Sequence, residues 1–205
     1  MRQDALKAYP FKPPLRFQAQ PKITVADNFN RADETPLSGG GNWTTTTHHL
    51  NLASNAVSID TTDAGNNQEA VYASWTGTND HYSQADATTT GSPGGAAGIG
   101  VSVRSTSSGT NENCYFCVIE NSAGNLSTYK VVNNSFTQLR QDVVTYVAGA
   151  IVKLQISGTT LTVFYNKVQI GGTITDSAIS SGKPGLFYSS NLTTGKLDNW
   201  VAADL

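Results

Sequence analysis

The sequence predicts an all-β protein in which two antiparallel sheets form a sandwich, preceded by an extended N-terminal arm. Charged residues make up only 14% of the 205 residues. Ser, Thr, Asn and Gly are common beside Val, Ile, Tyr, Phe and Trp, a mixture that is typical of strands joined by tight turns. Apolar and polar residues also alternate along the chain, which indicates half-buried strands rather than amphipathic helices.

The alternation is clearest in three segments. Each places its apolar residues on one face: Ile99, Val101 and Val103; Val152, Leu154 and Ile156; Leu161, Val163 and Tyr165. Turn residues separate the alternating segments at 121–125, 133–134, 157–158, 166–167 and 171–172. At least ten short strands are expected at this regular spacing, which predicts a two-sheet sandwich.

Residues 1–22 differ in composition from the rest and form the predicted arm, so the sandwich occupies 23–205. The arm holds four of the seven prolines, which favour extended backbone. Its five cations against the single anion Asp4 give +4, whereas eight cations and fourteen anions give the remainder −6. The predicted docking residues are the cations and apolar side chains of the arm: Arg2, Leu6, Lys7, Tyr9, Phe11, Lys12, Leu15, Arg16, Phe17 and Lys22.

An ordered arm needs a surface on which to lie. Fully extended, it would reach roughly 70 Å. Ordering its backbone costs on the order of 20–40 kcal/mol, while burial of its five apolar side chains returns about 8–15 kcal/mol. The arm is therefore expected to dock on its own sandwich, on a sister subunit or on another protein. A charged, flexible terminus is the alternative.

Cys114 and Cys117 have the spacing of a redox or metal motif but lie in an alternating segment. Residues three apart on a strand point to opposite faces, so these thiols are not expected to pair or to share a metal ion. No second Cys or His pair accompanies them. Unpaired thiols are consistent with assembly in a reducing cytoplasm. The N-terminal residues lack the apolar run of a signal peptide, and no stretch is apolar enough to predict a membrane span.

Four segments resemble a known fold family. Residues 27–45 contain Asp-x-Phe-x-Arg-Ala-Asp, a glycine-rich turn and Asn-Trp, and 175–187 contain Asp-x-x-Ile-x-x-Gly-x-Pro-Gly-Leu. With the hairpin 152–170 and the closing segment 197–205, they resemble concanavalin A-like, LamG-like jelly-roll domains of phage virion (decoration or cement) proteins and bacterial surface proteins. The resemblance implies an antiparallel two-sheet jelly-roll sandwich over about 25–205, with its first and last strands paired. It implies no single function, because this fold hosts many.

The sequence offers no complete catalytic set, so we expect no enzymatic activity. Glucanases with this fold use Glu-x-Asp-x-x-Glu, in which alternation brings two carboxyl groups ~5 Å apart. None of the glutamates has that arrangement: Glu34, Glu69, Glu112 and Glu120. No Gly-x-Ser-x-Gly elbow is present. The histidines are interpreted as surface or turn residues: His48, His49 and His81. The glycine-rich segment 91–100 lacks the lysine of a phosphate-binding loop.

Three kinds of ligand can be weighed. The resemblance allows a structural calcium ion beside the terminal strands, with Asp27 and Asp198 as candidate ligands and turn or capping aspartates as the alternative. No other cofactor is expected. Exposed aromatic rings can stack on sugars, and core packing is the alternative for each candidate glycan contact: Tyr72, Trp75, Tyr82 and Tyr188. Nucleic acid is not expected, because the arm lacks an Arg-rich run and the body is acidic.

Two functions of different classes remain. The first is a phage capsid decoration (cement) protein on the virion surface, assembled in the host cytoplasm. Its arm would dock on the major capsid protein or another virion protein, and arm exchange would favour a homotrimer. The phage context comes from the resemblance and not from composition. The alternative is a lectin-like carbohydrate-binding module for host or matrix glycans, and a further alternative is a tail or fibre component.

Overall fold

Sixteen strands and two short 3₁₀ helices make up the described part of the chain. The structure is a computed structural model and describes residues 22–45, 48–63, 66–89, 98–106, 112–120, 124–189 and 194–205. Within these ranges, no helix is long and apolar enough to cross a membrane. The predicted arm, except Lys22, lies outside the described residues, so its docking stays a prediction.

The strands form two antiparallel sheets, which confirms the predicted all-β sandwich. In chain order the strands are β1 (Thr24–Asp27), β2 (Trp43–Thr45), β3 (Leu50–Ala53), β4 (Ala56–Ile59), β5 (Gln68–Tyr72), β6 (His81–Thr89), β7 (Gly98–Thr106), β8 (Asn113–Glu120), β9 (Asn125–Val132), β10 (Ser135–Val143), β11 (Ala150–Ser157), β12 (Thr160–Tyr165), β13 (Val168–Gln169), β14 (Ile174–Thr175), β15 (Lys183–Tyr188) and β16 (Lys196–Asp204). The nine-stranded sheet has the order β13-β12-β11-β6-β16-β4-β3, with β1 beside β16 and β14 beside β12. The seven-stranded sheet has the order β10-β9-β8-β7-β15-β5-β2.

The first and last strands pair, as the resemblance implied. Strand β1 runs antiparallel to β16, with Thr24 opposite Ala203 and Asp27 opposite Trp200. The Asp204 carboxylate adds to this closure, because Oδ2 accepts a hydrogen bond from the Ile23 amide at 3.0 Å. The two ends of the described chain therefore hold each other in the nine-stranded sheet.

The opening motif owes its spacing to one ion network. The Arg31 guanidinium donates to Asp27 Oδ1 and to Glu34 Oε1, each at 2.6 Å. Asp27 Oδ2 accepts from the Trp43 indole at 2.8 Å. The network thus ties the end of β1 to the start of β2 on the other sheet, around the buried ring of Phe29.

The main core lies between the two sheets, and the predicted alternation supplies it. The apolar face of β11 packs against β7, and the side chains that meet there have no exposed surface: Val152, Leu154, Ile156, Ile99, Val101 and Val103. Trp200 anchors one end of this core. Its indole ring contacts the ring of Trp43 at 4.7 Å between centroids, and its Nε1 donates to Ser83 Oγ at 2.9 Å.

A second apolar cluster lies on the outer face of the seven-stranded sheet. Its buried members are Cys114, Phe116, Val118, Val131 and Phe187, with Tyr129 partly buried beside them. Cys117 belongs instead to the core between the sheets. The prediction that the two cysteines point to opposite faces is therefore confirmed, and both are free thiols.

The predicted turns at 133–134 and 166–167 are confirmed by the backbone. Asn133 and Asn134 have φ values of 49° and 62°, and Asn166 and Lys167 have 48° and 69°. Two successive residues with positive φ match the twist of a two-residue hairpin, which connects β9 to β10 and β12 to β13.

Candidate functional site on the outer face of the seven-stranded sheet

A row of aromatic rings crosses the outer face of the seven-stranded sheet. The rings of Phe187 on β15 and Phe116 on β8 are stacked, with 3.8 Å between centroids and 8° between planes. Tyr129 on β9 continues the row at 5.0 Å and 15° from Phe116. Phe136 on β10 meets Phe116 edge-on at 6.1 Å and is 42% exposed. The row therefore runs from a buried centre to a solvent-exposed ring.

Strand β7 lies between β15 and β8, and Gly100 on β7 leaves room for the rings of Phe187 and Phe116 to stack. Gly100 stands opposite both Phe187 and Val118. A Cβ at this position would lie 1.9 Å from the carbonyl oxygen of Cys117, so no larger residue fits without a backbone shift. With no side chain at Gly100, the two phenyl rings can meet above β7.

Polar side chains lie beside the Tyr129 ring of the row. Glu120 is 4% exposed and accepts hydrogen bonds from the Tyr129 hydroxyl at 2.7 Å and from Gln141 Nε2 at 3.2 Å. The same Gln141 amide donates to Ser127 Oγ at 3.2 Å. Burial and the Glu120 carboxylate together raise the pKa of Tyr129 to about 12, so its hydroxyl stays protonated at neutral pH. An amide, hydroxyls and a carboxylate are thus held in place beside the Tyr129 ring of the row.

Three ligand-type side chains converge on the part of this face that is formed by β5 to β8. Oxygen atoms of Glu69 and Glu112 and the Cys114 sulfur lie within 4.8 Å of one another. Glu69 is on β5 and Cys114 on β8, with β15 and β7 between these strands. In a flat sheet the backbones of β5 and β8 would be about 14 Å apart, because neighbouring strands are separated by ~4.8 Å. The convergence therefore requires the sheet to curve toward this face, which makes the face concave.

Burial governs the ionisation of this trio. Burial and the neighbouring Glu112 charge raise the pKa of Glu69 well above its ordinary value, and the hydroxyls of Ser105 and Ser102 oppose part of the rise. Burial also raises the pKa of Glu112. The pKa of the Cys114 thiol is raised by burial and by the two carboxyl groups. Without a bound cation, the protonated forms of Glu69, Glu112 and Cys114 are therefore favoured.

A pocket of about 250 Å³ opens beside this trio. Its lining residues come from β2, β5, β7 and β15 and the residues next to them: Thr44, Val71, Ala73, Ser105, Thr106, Gly182 and Lys183. The Lys183 ammonium donates to the carbonyl oxygen of Ala73. The concave face thus offers an exposed aromatic end and a pocketed end.

The structure corrects two of the four predicted glycan contacts. Tyr188 has no exposed surface, lies in the core between the sheets and donates its hydroxyl hydrogen to the Val57 carbonyl oxygen at 2.6 Å. Trp75 is 7% exposed, its ring packs on His81 and its Nε1 donates to the Thr78 carbonyl oxygen at 3.2 Å. Neither ring offers a free face, because each fills the interior beside another element.

The other two candidates are only partly buried but their rings are already in contact. Tyr72 packs on Trp43 and Trp200, at 5.3 Å and 5.0 Å between ring centroids. Tyr82 lies on the outer face of the nine-stranded sheet, where the Lys153 ammonium stands 3.8 Å from its ring centroid. These four residues are not brought together, and none of them belongs to the concave face.

Asp27 ends β1 and Asp198 lies on its partner strand β16, but both side chains already accept hydrogen bonds. Asp27 receives hydrogen bonds from Arg31, Trp43 and the Phe29 amide. Asp198 Oδ1 accepts from the Asn199 amide at 2.7 Å. The structural calcium ion stays a prediction.

Sequence reasoning missed the residues that form the concave face. The sequence showed only that its glutamates lie outside a catalytic motif: Glu69, Glu112 and Glu120. No sequence pattern indicated that Phe116 and Phe187 would stack on the outer face of the sheet. His81 was interpreted as a surface or turn residue, but it has no exposed surface. Its ring fits between Thr78, whose carbonyl oxygen lies 2.9 Å from Nδ1, and the Arg104 amide, which donates to Nε2 at 3.3 Å.

The fold defines the class of the protein as a concanavalin A-like jelly roll. It resembles the carbohydrate-binding module CBM66 from Bacillus subtilis, with 16% identity and a TM-score of 0.56 over 80% of this chain and 92% of that one. A β-1,3-1,4-glucanase (lichenase) derived from a mouse hindgut metagenome has 10% identity and a TM-score of 0.58, over 88% and 98% of the two chains.

The Bacillus licheniformis β-glucanase is also similar, with 11% identity and a TM-score of 0.53 over 89% of this chain and 98% of that one. At such identities, the likeness shows the fold alone. No protein-family model and no curated protein sequence matches the chain.

Proposed function

We propose that this protein is a carbohydrate-binding module that holds a glycan at the exposed end of its concave face. The observation that carries the proposal is the row of aromatic rings that ends in the exposed Phe136, together with the polar groups of Glu120 and Gln141 that are held at the Tyr129 ring of the same row. Sugars present apolar ring faces and many hydroxyl groups, so a site for them combines a flat aromatic ring with hydrogen-bonding side chains. Gln138 and Gln141 are both exposed and can reach such hydroxyls.

The comparison proteins support the same class of ligand. One of the similar structures is described as a carbohydrate-binding module and two as glucanases. A polysaccharide is therefore the first ligand to test. The expected ligands are glycans with accessible pyranose or furanose faces, which an aromatic ring can contact.

Binding without hydrolysis is part of the proposal. Glu69 and Glu112 are the two glutamates that the fold brings together, but Glu69 has no exposed surface and no substrate could contact its oxygens. Glu120 is buried and is engaged by Tyr129 and Gln141. A carboxyl pair that flanks a glycosidic bond needs access to the bond on both sides.

The virion hypothesis stays a prediction. Capsid docking, a trimer and a place on the virion surface all depend on residues 1–21, which lie outside the described residues. The three similar structures named above are carbohydrate-active proteins and not virion proteins. The same holds for the tail or fibre alternative.

The test is binding of the full chain to soluble polysaccharides, with lichenan, laminarin and xylan as the probes, measured by affinity electrophoresis and titration calorimetry. We expect binding to at least one probe and a loss of tenfold or more in Phe136→Ala. Tyr82→Ala, on the opposite sheet, is the matched control and should bind like the wild type. Equal binding by both variants, or no retardation of the wild type by any probe, would refute the proposal. Release of reducing ends would refute the non-catalytic part.

A further inference from the structure

The concave face contains a buried carboxylate that the described structure leaves without a partner. Glu69 has no exposed surface, and neither of its carboxylate oxygens has a hydrogen-bond partner. The nearby hydroxyls of Ser105 and Ser102 bond to each other, at 2.9 Å between their oxygens. Burying a carboxylate without a partner is costly, so this position calls for a cation or a proton.

Other buried or partly buried carboxylates on the molecule show how unusual this is. Glu120 is 4% exposed, and each of its oxygens accepts a hydrogen bond. Both oxygens of Asp27 also accept hydrogen bonds. Glu69 differs from both, because neither of its oxygens has a hydrogen-bond partner, while Glu112 and Cys114 lie beside it.

We propose that Glu69, Glu112 and Cys114 bind a zinc ion. Their ligand atoms lie within 4.8 Å of one another, close enough for one ion to touch all three after small side-chain movements. The proposal is independent of carbohydrate binding, since it rests on the buried end of the concave face.

The donor set selects the metal. Calcium and magnesium ions prefer sites made wholly of oxygen atoms, and a thiolate is a poor ligand for them. Zinc accepts a mixture of thiolate and carboxylate ligands and suits four-coordinate sites. The three side chains would supply three positions, and a water molecule or another side chain would complete the fourth.

The fold leaves both space and access for such a site. Gly185 lies on β15, between the strand of Glu69 and β7, and a Cβ there would come within 2.8 Å of Ser102 Oγ. Without that side chain, Glu69 can extend toward Cys114. Ser105 acts on Glu69 and also lines the 250 Å³ pocket, so the pocket adjoins the trio and gives an ion a path from solvent.

A shared proton is the competing explanation. Two adjacent carboxyl groups can hold one proton between them, which would stabilise Glu69 and Glu112 without any metal ion. That explanation assigns no role to the Cys114 sulfur. A test that follows the sulfur therefore separates the two.

The experiment uses the full chain, stripped with a chelator and then titrated with ZnCl₂ or CoCl₂. We expect one zinc ion per chain by calorimetry and elemental analysis. With cobalt, a thiolate-to-metal charge-transfer band should appear in the near ultraviolet. Cys114→Ala should abolish the band and weaken zinc binding at least tenfold, and Glu69→Gln should weaken binding to a similar extent.

Cys117→Ala is the matched control, because Cys117 lies three residues away in the same strand but faces the core. It should keep the cobalt band and the zinc affinity. Circular dichroism checks that each variant is folded, and Cys114→Ser replaces Cys114→Ala if the latter is not. Absence of binding to the wild type at micromolar zinc would overturn the proposal, as would a cobalt band that survives in the Cys114 variant.

Discussion

The phenyl ring of Phe187 lies flat against that of Phe116, with 3.8 Å between their centroids, although strand β7 separates their strands. Gly100 of β7 stands opposite Phe187, and its missing side chain leaves the space in which the rings meet. The pair forms the centre of the concave face and links its acidic pocketed end to its exposed aromatic end. The integrity of both proposed sites therefore depends on this contact.

Gly100→Ala is expected to destabilise the protein by about 3 kcal/mol, because an overpacked backbone must shift. The added Cβ would lie 1.9 Å from the Cys117 carbonyl oxygen. Gly172→Ala is the control, since a Cβ there meets no atom within 4 Å, and its effect should stay within about 0.5 kcal/mol. Urea denaturation measures both, and equal midpoints for the two variants would contradict the expectation.

Phe116→Ala and Phe136→Ala should separate stability from binding. Phe116 is 2% exposed, so its truncation leaves a cavity and should cost about 3–5 kcal/mol. Phe136 is 42% exposed, and its truncation should cost less than about 1 kcal/mol while glycan binding is lost. Denaturation and affinity electrophoresis on the same samples check this. A Phe136 variant as unstable as the Phe116 variant would show that its ring serves packing.

Arg104→Ala is expected to cost about 2–4 kcal/mol, because it removes a buried side chain and leaves the buried Ile179 carbonyl oxygen without its donor. The Arg104 side chain is 4% exposed and donates to the carbonyl oxygens of Asn79 and Ile179 and to the Asp80 carboxylate, at 2.8–3.0 Å. Arg104→Lys should recover only part of the loss, since one ammonium cannot reproduce the planar set of donors. Thermal unfolding measures the series, and full recovery by lysine would show that charge alone matters.

Stability should fall between pH 6.5 and pH 4 through the protonation of His81. Burial lowers the pKa of His81 to about 4 from its ordinary 6.5, with the nearby Arg104 charge contributing. Between these values the unfolded chain binds the proton and the folded chain does not, so folding loses up to about 3 kcal/mol as the pH falls.

The measurement is urea denaturation of the wild type and His81→Asn at several pH values from 4 to 7. The variant cannot bind that proton, so its stability should decline less steeply over the same interval. Parallel pH profiles for the two proteins would show that other groups cause the decline.

The sequence predicted much of the fold because alternation and turn chemistry act locally. The apolar faces of 99–103, 152–156 and 161–165 were assigned correctly, since side chains on a strand must alternate between its two faces. The Asn-rich turn at 133–134 was equally predictable from its need for positive φ. The burial of the outer face of β7 and β8 could not be predicted from the sequence, because it depends on how other parts of the chain pack against the sheet.

The sequence by itself determined the strand content and the opposed directions of Cys114 and Cys117, and its resemblance to jelly-roll domains implied the pairing of the first and last strands. The tertiary structure decided which residues meet. Glu69 and Cys114 are 45 positions apart, and only strand order and sheet curvature bring them within 4.8 Å. It also decided that Tyr188 is interior and Phe136 exposed, because a strand's alternation defines two faces but only the packing of the second sheet selects the buried one.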